Sequence, residues 1–265
     1  MPIYINRIRS VIAELIKNWP LLSQLIRQQM ILRYRRTFLG YCWTLVNPLM
    51  MIFIMGLVFS SLFKEDLIKF TAFLFAGMIP WNLINNVVNQ SGFAFTSNEA
   101  LIKKIYVPKI VFPISIVLTI SVDALLSFAV LVFLIIVLGG NISWAIFFSF
   151  LALIIILIFS LGIGLIVSVA TVFYRDLQHI LSILMQGLFF LTPVLYIKDT
   201  VPKSFAILVS LNPISPLVEI FRTPISYRIL PSNEILLMSI IISFCTLALG
   251  LIIFISQEKK LVYRL

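Results

Sequence analysis

The sequence contains little charge, one histidine and two cysteines, and each scarcity excludes a class of protein. Only 11% of the 265 residues are charged, whereas 61% are apolar and the mean hydropathy is +1.12. Soluble domains carry about 25% charged and roughly 45–50% apolar residues, so a soluble fold would expose too much apolar surface here. His179 and the separated Cys42 and Cys245 exclude a multi-histidine or cysteine-rich metal site and a disulfide framework. The composition therefore indicates an integral membrane protein.

Sequence motifs of enzymes and of nucleotide binding are also missing. No glycine precedes a lysine, so there is no phosphate-binding P-loop, and no G-x-S-x-G or H-E-x-x-H pattern occurs. A soluble ATPase domain would need about 100 residues of ordinary polarity, which this chain lacks. Residues 1–36 are interrupted by charges, so no cleavable signal peptide is expected. We expect a non-enzymatic protein whose energy comes from a gradient or from another polypeptide.

Long runs without Asp, Glu, Lys or Arg predict an all-α protein with six transmembrane helices. A bilayer core of about 30 Å needs about 20 apolar residues in a helix. Gly139-Gly140-Asn141 divides the longest run, because paired glycines and Asn favour turns. The predicted six-span domain covers residues 37–257, with spans at 37–63, 70–98, 110–138, 142–173, 177–197 and 235–257.

The distribution of basic residues predicts the orientation. Fourteen of the 20 Lys and Arg residues fall on the side that holds both termini, the 99–109 loop and the 174–179 loop. Positive residues accumulate on the cytoplasmic side, so both termini, including the tail 258–265, are expected there. The net charge of +10 is expected to face anionic lipid headgroups rather than nucleic acid.

The arm 1–36 predicts an amphipathic helix in the membrane interface. Apolar residues recur on one helical face, namely Ile5, Ile8, Ile12, Leu15 and Ile16. Pro20 is predicted to end this helix, and a second basic segment then leads into the first span. The arm is either a simple topogenic anchor or a platform for a cytoplasmic partner.

The segment 198–234 predicts a re-entrant or interfacial helical pair on the external face. Its apolar run between Lys203 and Glu219 is 15 residues long and too short to span. The pair is expected to break at Asn212-Pro213, because proline cannot continue a helix. It forms either a packed external cap or the outer lip of a conduit.

Asp123 is the one carboxylate deep inside a predicted span. It is either a residue that couples transport to protons or ions, or a packing residue that forms a hydrogen bond with Ser121, Ser127, Thr119 or another helix. Carriers driven by protons usually contain several such residues, so the packing role is favoured. Aromatic residues near polar or helix-breaking positions are candidates for lining a transport path: Phe73, Phe75, Trp81 (beside Asn82), Phe189, Phe190 and Tyr196.

Four segments together resemble the permease subunit of the polysaccharide-exporting ABC transporters, which move O-antigen, capsule and teichoic acid chains. The segments are Arg33–Trp43 followed by Asn47-Pro48-Leu49, then Phe173–Leu177, Thr192–Tyr196 and Asn212–Pro216. The resemblance covers nearly the whole chain and is closest to exporters of O-antigen.

This resemblance implies a homodimer that binds two copies of a separate nucleotide-binding subunit, which itself binds ATP and Mg²⁺. It implies a coupling segment at 97–107 that contacts the ATPase through Glu99, Leu101, Ile102, Lys103, Lys104 and Tyr106. A second contact, or an inner gate, is expected at Tyr174, Arg175 and Asp176. Spans one and five would line the path, with channel aromatics and an outer gate at Phe189, Phe190, Pro193, Tyr196, Asn212 and Pro213.

The function implied is export of a lipid-linked polysaccharide, most closely O-antigen, across the inner membrane. The lipid pyrophosphate is expected to enter near Arg33, Arg35 and Arg36, which can form charge-assisted bonds to phosphate. Two alternatives are an ABC permease for a drug or small lipid and, in a different class, a gradient-driven flippase that uses Asp123. A membrane-embedded enzyme is a third, for which neither nucleophile nor metal site is evident.

Overall fold

The computed structural model describes residues 13–33, scattered positions between 37 and 58, and the ranges 67–104, 107–140, 143–197 and 202–264. Within these ranges the secondary structure is helical and contains no strand. The α-helices with defined bounds are α1 (Trp19–Arg33), α2 (Leu67–Ser91), α3 (Glu99–Lys104), α4 (Val111–Val137), α5 (Ile146–Phe173), α6 (Leu177–Leu191), α7 (Lys203–Leu211), α8 (Ile214–Ser226) and α9 (Asn233–Arg264).

Four of these helices, α2, α4, α5 and α9, are long and apolar enough to cross a membrane. The pair α7–α8, bent by 87°, raises the number of candidate spans to five if the pair counts as one. Its break falls at Asn212-Pro213, where the sequence predicted it. The all-helical membrane class is thus confirmed, whereas the predicted number of six spans is not.

The individual spans differ from the predicted limits mainly at their ends. Most of the first span, 37–63, lies outside the described residues, although the described positions from 43 to 58 are helical. Helix α2 ends at Ser91 rather than near residue 98, and α6 has only 15 residues, about 22 Å. Helix α9 continues to Arg264, so the predicted tail 258–265 is largely the end of this helix.

Pro20 does not end a helix, contrary to the prediction. Residues 13–17 are helical, a turn follows at Asn18, and α1 begins at Trp19 with Pro20 in its first turn. Proline is tolerated there because the first N–H groups of a helix have no intrahelical acceptor. Of the predicted apolar face, Leu15 packs on the core and Ile16 is exposed, while Ile5, Ile8 and Ile12 lie outside the described residues.

The core consists of two apolar clusters, one towards each end of the bundle. The first joins α2, α4, α5 and α8, and includes Ile84, Phe128, Ile156 and Phe221. The second lies at the end that carries α3, and joins Leu22 and Leu25 of α1 to Phe95, Phe112 and Phe254. The predicted turn between α4 and α5 is present, with Gly139 at φ +76°, a conformation that glycine adopts without steric cost.

Helices α5 and α9 form an extensive contact in which their backbones touch at Gly162 and Gly250. A Cβ atom on Gly162 would lie 2.4 Å from the carbonyl carbon of Thr246, and one on Gly250 would lie 2.5 Å from the carbonyl oxygen of Gly162. Small residues allow such close approach between membrane helices, where packing rather than the hydrophobic effect holds helices together.

Replacing Gly162 with alanine should therefore lower the thermal stability of the purified protein. The added methyl group must push α5 and α9 apart, and overpacking of this kind costs about 1–3 kcal/mol. The control is Gly187→Ala in α6, where a Cβ meets nothing within 4 Å. The midpoint of thermal aggregation in detergent measures the effect; equal midpoints for the two variants would show that the glycine contact is dispensable.

Candidate functional site

The predicted coupling segment forms a short helix with complementary charges at its ends. A 3-10 turn at Thr96–Asn98 leads into α3, which has Glu99 in its first turn and Lys103 and Lys104 in its last. These charges oppose the helix dipole and support a helix that is too short to be stable alone. Glu99 Oε1 accepts a hydrogen bond from Lys103 Nζ at 2.5 Å.

The charge of Lys103, through this hydrogen bond and through space, lowers the pKa of Glu99, and Arg175 lowers it further. A lowered carboxyl pKa means that the ion pair is complete above the ordinary carboxyl pKa and is lost only as the pH falls through the lowered value. A direct contact joins the same two regions, since Thr171 Oγ1 near the end of α5 donates a hydrogen bond to the Gly92 carbonyl after α2 at 3.0 Å. The two predicted cytoplasmic contacts thus belong to one surface.

The side chains of that surface divide into anchors and exposed groups. Leu101 and Ile102, expected to contact an ATPase, are half-buried against the second core cluster and hold α3 to the bundle. Lys103 and Lys104 are exposed, as are Tyr174, Arg175 and Asp176. Tyr106 lies outside the described residues.

The last turns of α9 complete this end of the molecule. Lys109 Nζ donates a hydrogen bond to the Glu258 carbonyl at 2.8 Å, and the Arg264 guanidinium lies 5.5 Å from the ring centroid of Phe173. Helix α9 therefore touches the 99–109 loop and the end of α5, next to the 174–179 loop.

Polar contacts join α1 to α4. Gln29 Nε2 donates to Ser115 Oγ at 2.9 Å, Thr119 Oγ1 donates to Gln29 Oε1 at 3.0 Å, and Arg33 forms an ion pair with Asp123. The residue later in α1, Arg33, pairs with the residue later in α4, Asp123. Helix α1 therefore runs parallel to the first half of α4. Arg33 Nη2 also donates to Gln90 Oε1 of α2 at 3.4 Å.

The partner of Asp123 is thus Arg33, a residue from another helix, and not one of the nearby hydroxyl groups. Ser121 and Ser127 donate to backbone carbonyl oxygens within α4, and the Thr119 hydroxyl is shared between the Ser115 carbonyl and Gln29 Oε1. Arg33 and Gln90 border a polar cleft of about 410 Å³ between α1, α2 and the turn before α3. We call it the polar cleft after Gln28, Gln29, Ser97 and Asn98; the apolar residues Leu25, Leu32, Phe93 and Ile116 complete its lining. Arg35 and Arg36 lie outside the described residues.

At the other end, α7, α8 and the segment Thr192–Tyr196 form a unit that we call the cap. Asn212 Nδ2 donates to Thr192 Oγ1 at 2.8 Å, and Asn212 Oδ1 accepts from the Ile214 N–H at 3.0 Å. The first of these bonds joins the two proline-containing motifs that the sequence analysis identified separately, and the second lies within the Asn212–Pro216 motif. Pro193 is buried, and Pro213 is exposed.

Arg222 of α8 is the functional candidate that sequence reasoning missed, since it entered the sequence analysis only as one of the six basic residues that do not fall on the side of the termini. Its side chain is 2% exposed, Nη1 donates to the Pro193 carbonyl at 2.5 Å, and the guanidinium lies 4.4 Å from the Phe73 ring centroid. Arg222 therefore connects α8 to the end of α6 and to α2. The available signal was an arginine flanked by apolar residues inside an amphipathic helix.

Three aromatic residues predicted to line a path are buried in the core instead. Phe73, Phe75 and Trp81 are at most 8% exposed, because they face α8 and α6 rather than open space. Phe189 packs on Trp81 with ring centroids 5.4 Å apart, and only Phe190 is largely exposed. The Tyr196 hydroxyl donates to the Phe190 carbonyl at 3.1 Å.

Comparison with known protein families identifies the family of this chain. Residues 20–226, more than three quarters of the chain, match the model of the family described as "ABC-2 type transporter". The chain belongs to the ABC-2 type transporter family. The match runs from α1 through α8, so the coupling helix α3, the polar cleft and the cap all lie inside the family's shared region.

Individual relatives of this ABC-2 type transporter align with most of its length. One is the "O-antigen export system permease protein RfbA" of Klebsiella pneumoniae, 29% identical over 92% of this chain and 93% of the relative. Another is the protein of the same name from Myxococcus xanthus, 29% identical over 94% and 97%. The "Polysialic acid transport protein KpsM" of Escherichia coli is 25% identical over 86% and 90%. As a member of this family, the chain is a multi-pass membrane protein with a transport role.

Proposed function

We propose that this chain is the permease subunit of an ABC exporter that moves a lipid-linked polysaccharide, with O-antigen as the favoured cargo. Two copies form the membrane domain in the inner (cytoplasmic) membrane, with both termini in the cytoplasm. Two copies of a separate subunit bind ATP and Mg²⁺ and hydrolyse the ATP that drives transport. The observation that carries the proposal is the near full-length similarity to O-antigen export permeases from two organisms.

The geometry of the α3 end supports docking of an ATPase. Helix α3, the segment Tyr174–Asp176 and the end of α9 form one charged surface, so a partner bound there contacts the loops after α2 and α5 together. Closure of the ATPase pair would then be transmitted to several spans as a rotation at an interface. Leu101 and Ile102 fix α3 to the core, which makes this transmission rigid.

The polar cleft and the cap are the proposed ends of the transport path. We place Arg33, Arg35 and Arg36 at the entrance for the lipid pyrophosphate. The volume of the cleft and the side chains of Arg33, Gln28, Gln29 and Gln90 in its lining support the part assigned to Arg33. Phe189, Phe190 and Tyr196 are placed on the path, and Pro193, Asn212 and Pro213 at the outer gate. Coupling by an ion gradient through Asp123 is disfavoured, because its carboxylate pairs with Arg33.

Co-purification tests the function. The chain is expressed with an ATPase encoded next to it, and a stable complex of two copies of each subunit is expected. Deleting the chain should cause glycan to accumulate inside the cell. Failure of the complex with every neighbouring ATPase would overturn the proposal.

Charge reversal at Lys104 should weaken the ATPase complex by about tenfold at low salt, and less at high salt. Lys104 is exposed at the end of α3, and charges at the rim of an interface act mainly through long-range, salt-screened attraction. The affinity for the ATPase of Lys104→Glu, titrated at two salt concentrations, measures this. Lys69→Glu makes the same charge change at the opposite end of the bundle and should bind normally; equal affinities would place the docking surface elsewhere.

A further inference from the structure

One face of α2 carries a row of asparagine side chains through the middle of a membrane-spanning helix. Asn82, Asn85, Asn86 and Asn89 recur at helical spacing; Asn82 is exposed and the other three are half-buried. The opposite face of this part of α2 is buried and consists of Trp81, Leu83, Ile84, Val87 and Val88. The asparagine row is therefore the face of α2 that the core leaves open.

Helix α6 presents a matching row beside it. Gln178, Ser182 and Gln186 recur at intervals of four residues; Gln186 is exposed and the other two are half-buried. Two contacts fix how the helices run. Gln178 Nε2 donates to the Asn89 carbonyl at 2.5 Å, and the Phe189 ring lies 5.4 Å from that of Trp81.

Because these contacts run in opposite directions along the two helices, α2 and α6 are antiparallel. The register places Ser182 level with Asn85 and Asn86, and Gln186 level with Asn82. The two rows thus form one strip of seven polar side chains, which we call the amide lane.

Much of the hydrogen-bonding capacity of the amide lane is unused by the chain. Asn89 Nδ2 donates to the carbonyl and side-chain oxygens of Asn85. Gln178 Oε1 is buried without a partner. In the part of the chain that the structure describes, four further side chains of the lane have no hydrogen-bond partner: Asn82, Asn86, Ser182 and Gln186.

Unsatisfied polar groups are costly in hydrocarbon, so polar residues within membrane spans face the protein interior or a water-filled cavity. One end of the amide lane lies near the polar cleft, and the other end lies near exposed aromatic residues. At one end Gln90, next to Asn89, borders the polar cleft; at the other, Trp81 and Phe189 adjoin Phe190, which is 71% exposed. The amide lane therefore runs along the bundle between the polar cleft and the exposed Phe190.

We propose that the amide lane binds the sugar units of the exported chain as it crosses the membrane; this inference rests on the function proposed above. A carboxamide is both donor and acceptor, as a sugar hydroxyl is, so each lane residue can bond to a hydroxyl in either sense. The lane contains no charged residue, which suits a neutral polyhydroxylated ligand. Its groups repeat about every helical turn, so a repeating polymer meets similar weak contacts as it advances.

A second copy of this chain is the competing occupant, since amide side chains also hydrogen-bond between membrane helices. The exposed face of α6 next to the lane suits a neighbouring helix better. It is apolar and includes Ile180, Ile183 and Leu184, all at least 51% exposed. The amide side chains of the lane therefore suit a glycan. The apolar face of α6 suits contact with another helix.

The test replaces the amides without changing side-chain size much, in the combined variant Asn82→Leu, Asn86→Leu, Gln186→Met. In cells lacking the native gene, the rate at which pulse-labelled glycan reaches the cell surface should fall by about tenfold or more, because three hydrogen-bonding groups are lost. The membrane level and the co-purified second copy and ATPase should not change. The conservative variant Asn82→Gln, Asn86→Gln, Gln186→Asn should export within about twofold of wild type, and Leu184→Met, on the adjacent apolar face, should be unaffected.

Each other outcome is decisive. Normal glycan export by the leucine and methionine variant would show that the amide lane does not bind the sugar units, and it would leave the proposed function intact. Loss of the second copy from that purified variant would show that the lane joins the two copies, which also overturns the inference. If deleting the whole chain left glycan export unchanged, the proposed function would fail, and the identity of the ligand with it.

Discussion

Replacing Arg222 with alanine should unfold the cap and abolish glycan export. The change removes the donor to the Pro193 carbonyl and the guanidinium that packs on Phe73, and it leaves a void in a site that is 2% exposed. A buried carbonyl without its donor costs about 1–3 kcal/mol, and a cavity of this kind adds a similar amount. We expect a loss of about 2–5 kcal/mol in the free energy of unfolding.

The thermal midpoint of the purified protein, measured beside surface glycan, tests this prediction. Arg228→Ala is the matched control, since Arg228 is exposed and only six residues away. Arg222→Lys keeps the charge but loses the planar guanidinium, so it should fall between wild type and alanine. An Arg222→Ala protein with a normal midpoint and normal export would show that the cap holds without this residue.

Breaking the ion pair between Arg33 and Asp123 should have the second largest effect. Their side chains are 28% and 23% exposed, so each charge left alone is only partly hydrated. The cost lies between that of a surface pair and that of a fully buried pair, about 1–3 kcal/mol for Asp123→Leu or Arg33→Leu. The exchanged variant Arg33→Asp with Asp123→Arg should recover part of the loss, and a double-mutant cycle measures the coupling.

The same position separates the proposed exporter from a gradient-driven carrier. Asp123→Asn keeps the shape of the side chain and removes its charge. In an ATP-driven exporter it should lower the membrane level, while export per molecule stays within about twofold of wild type. In a carrier that couples through this carboxylate, transport would stop although the protein level stayed normal. A normal level with no export would therefore contradict the proposed function.

The features that the sequence predicted correctly depend on local composition. Runs without charge located α2, α4, α5 and α9, and proline and glycine located the break at Asn212-Pro213 and the turn at Gly139. Span ends were less predictable. Residues 92–98 are as uncharged as the helix before them, yet they turn towards α3 because Gly92 and Phe95 pack on other elements.

Contacts between distant segments were not predictable from periodicity. Arg33 and Asp123 are 90 residues apart, and Arg222 reaches a carbonyl 29 residues away, so neither partner follows from helical spacing. Phe73, Phe75 and Trp81 were predicted to line a path because aromatic residues occur both in cores and beside ligands. The positions of α6 and α8 show that they are core residues.

The length of α9 has a practical consequence for labelling this protein. Its 32 residues extend roughly 48 Å as one helix, well beyond a hydrocarbon core of about 30 Å. Its final turns hold Glu258 against Lys109 and Arg264 against Phe173. A fluorescent protein fused to the C-terminus would therefore lie near Lys109 and the end of α5, at the end of the bundle where we propose that the ATPase binds. A tag in the exposed turn at Tyr227–Leu230, at the opposite end, would leave that surface clear.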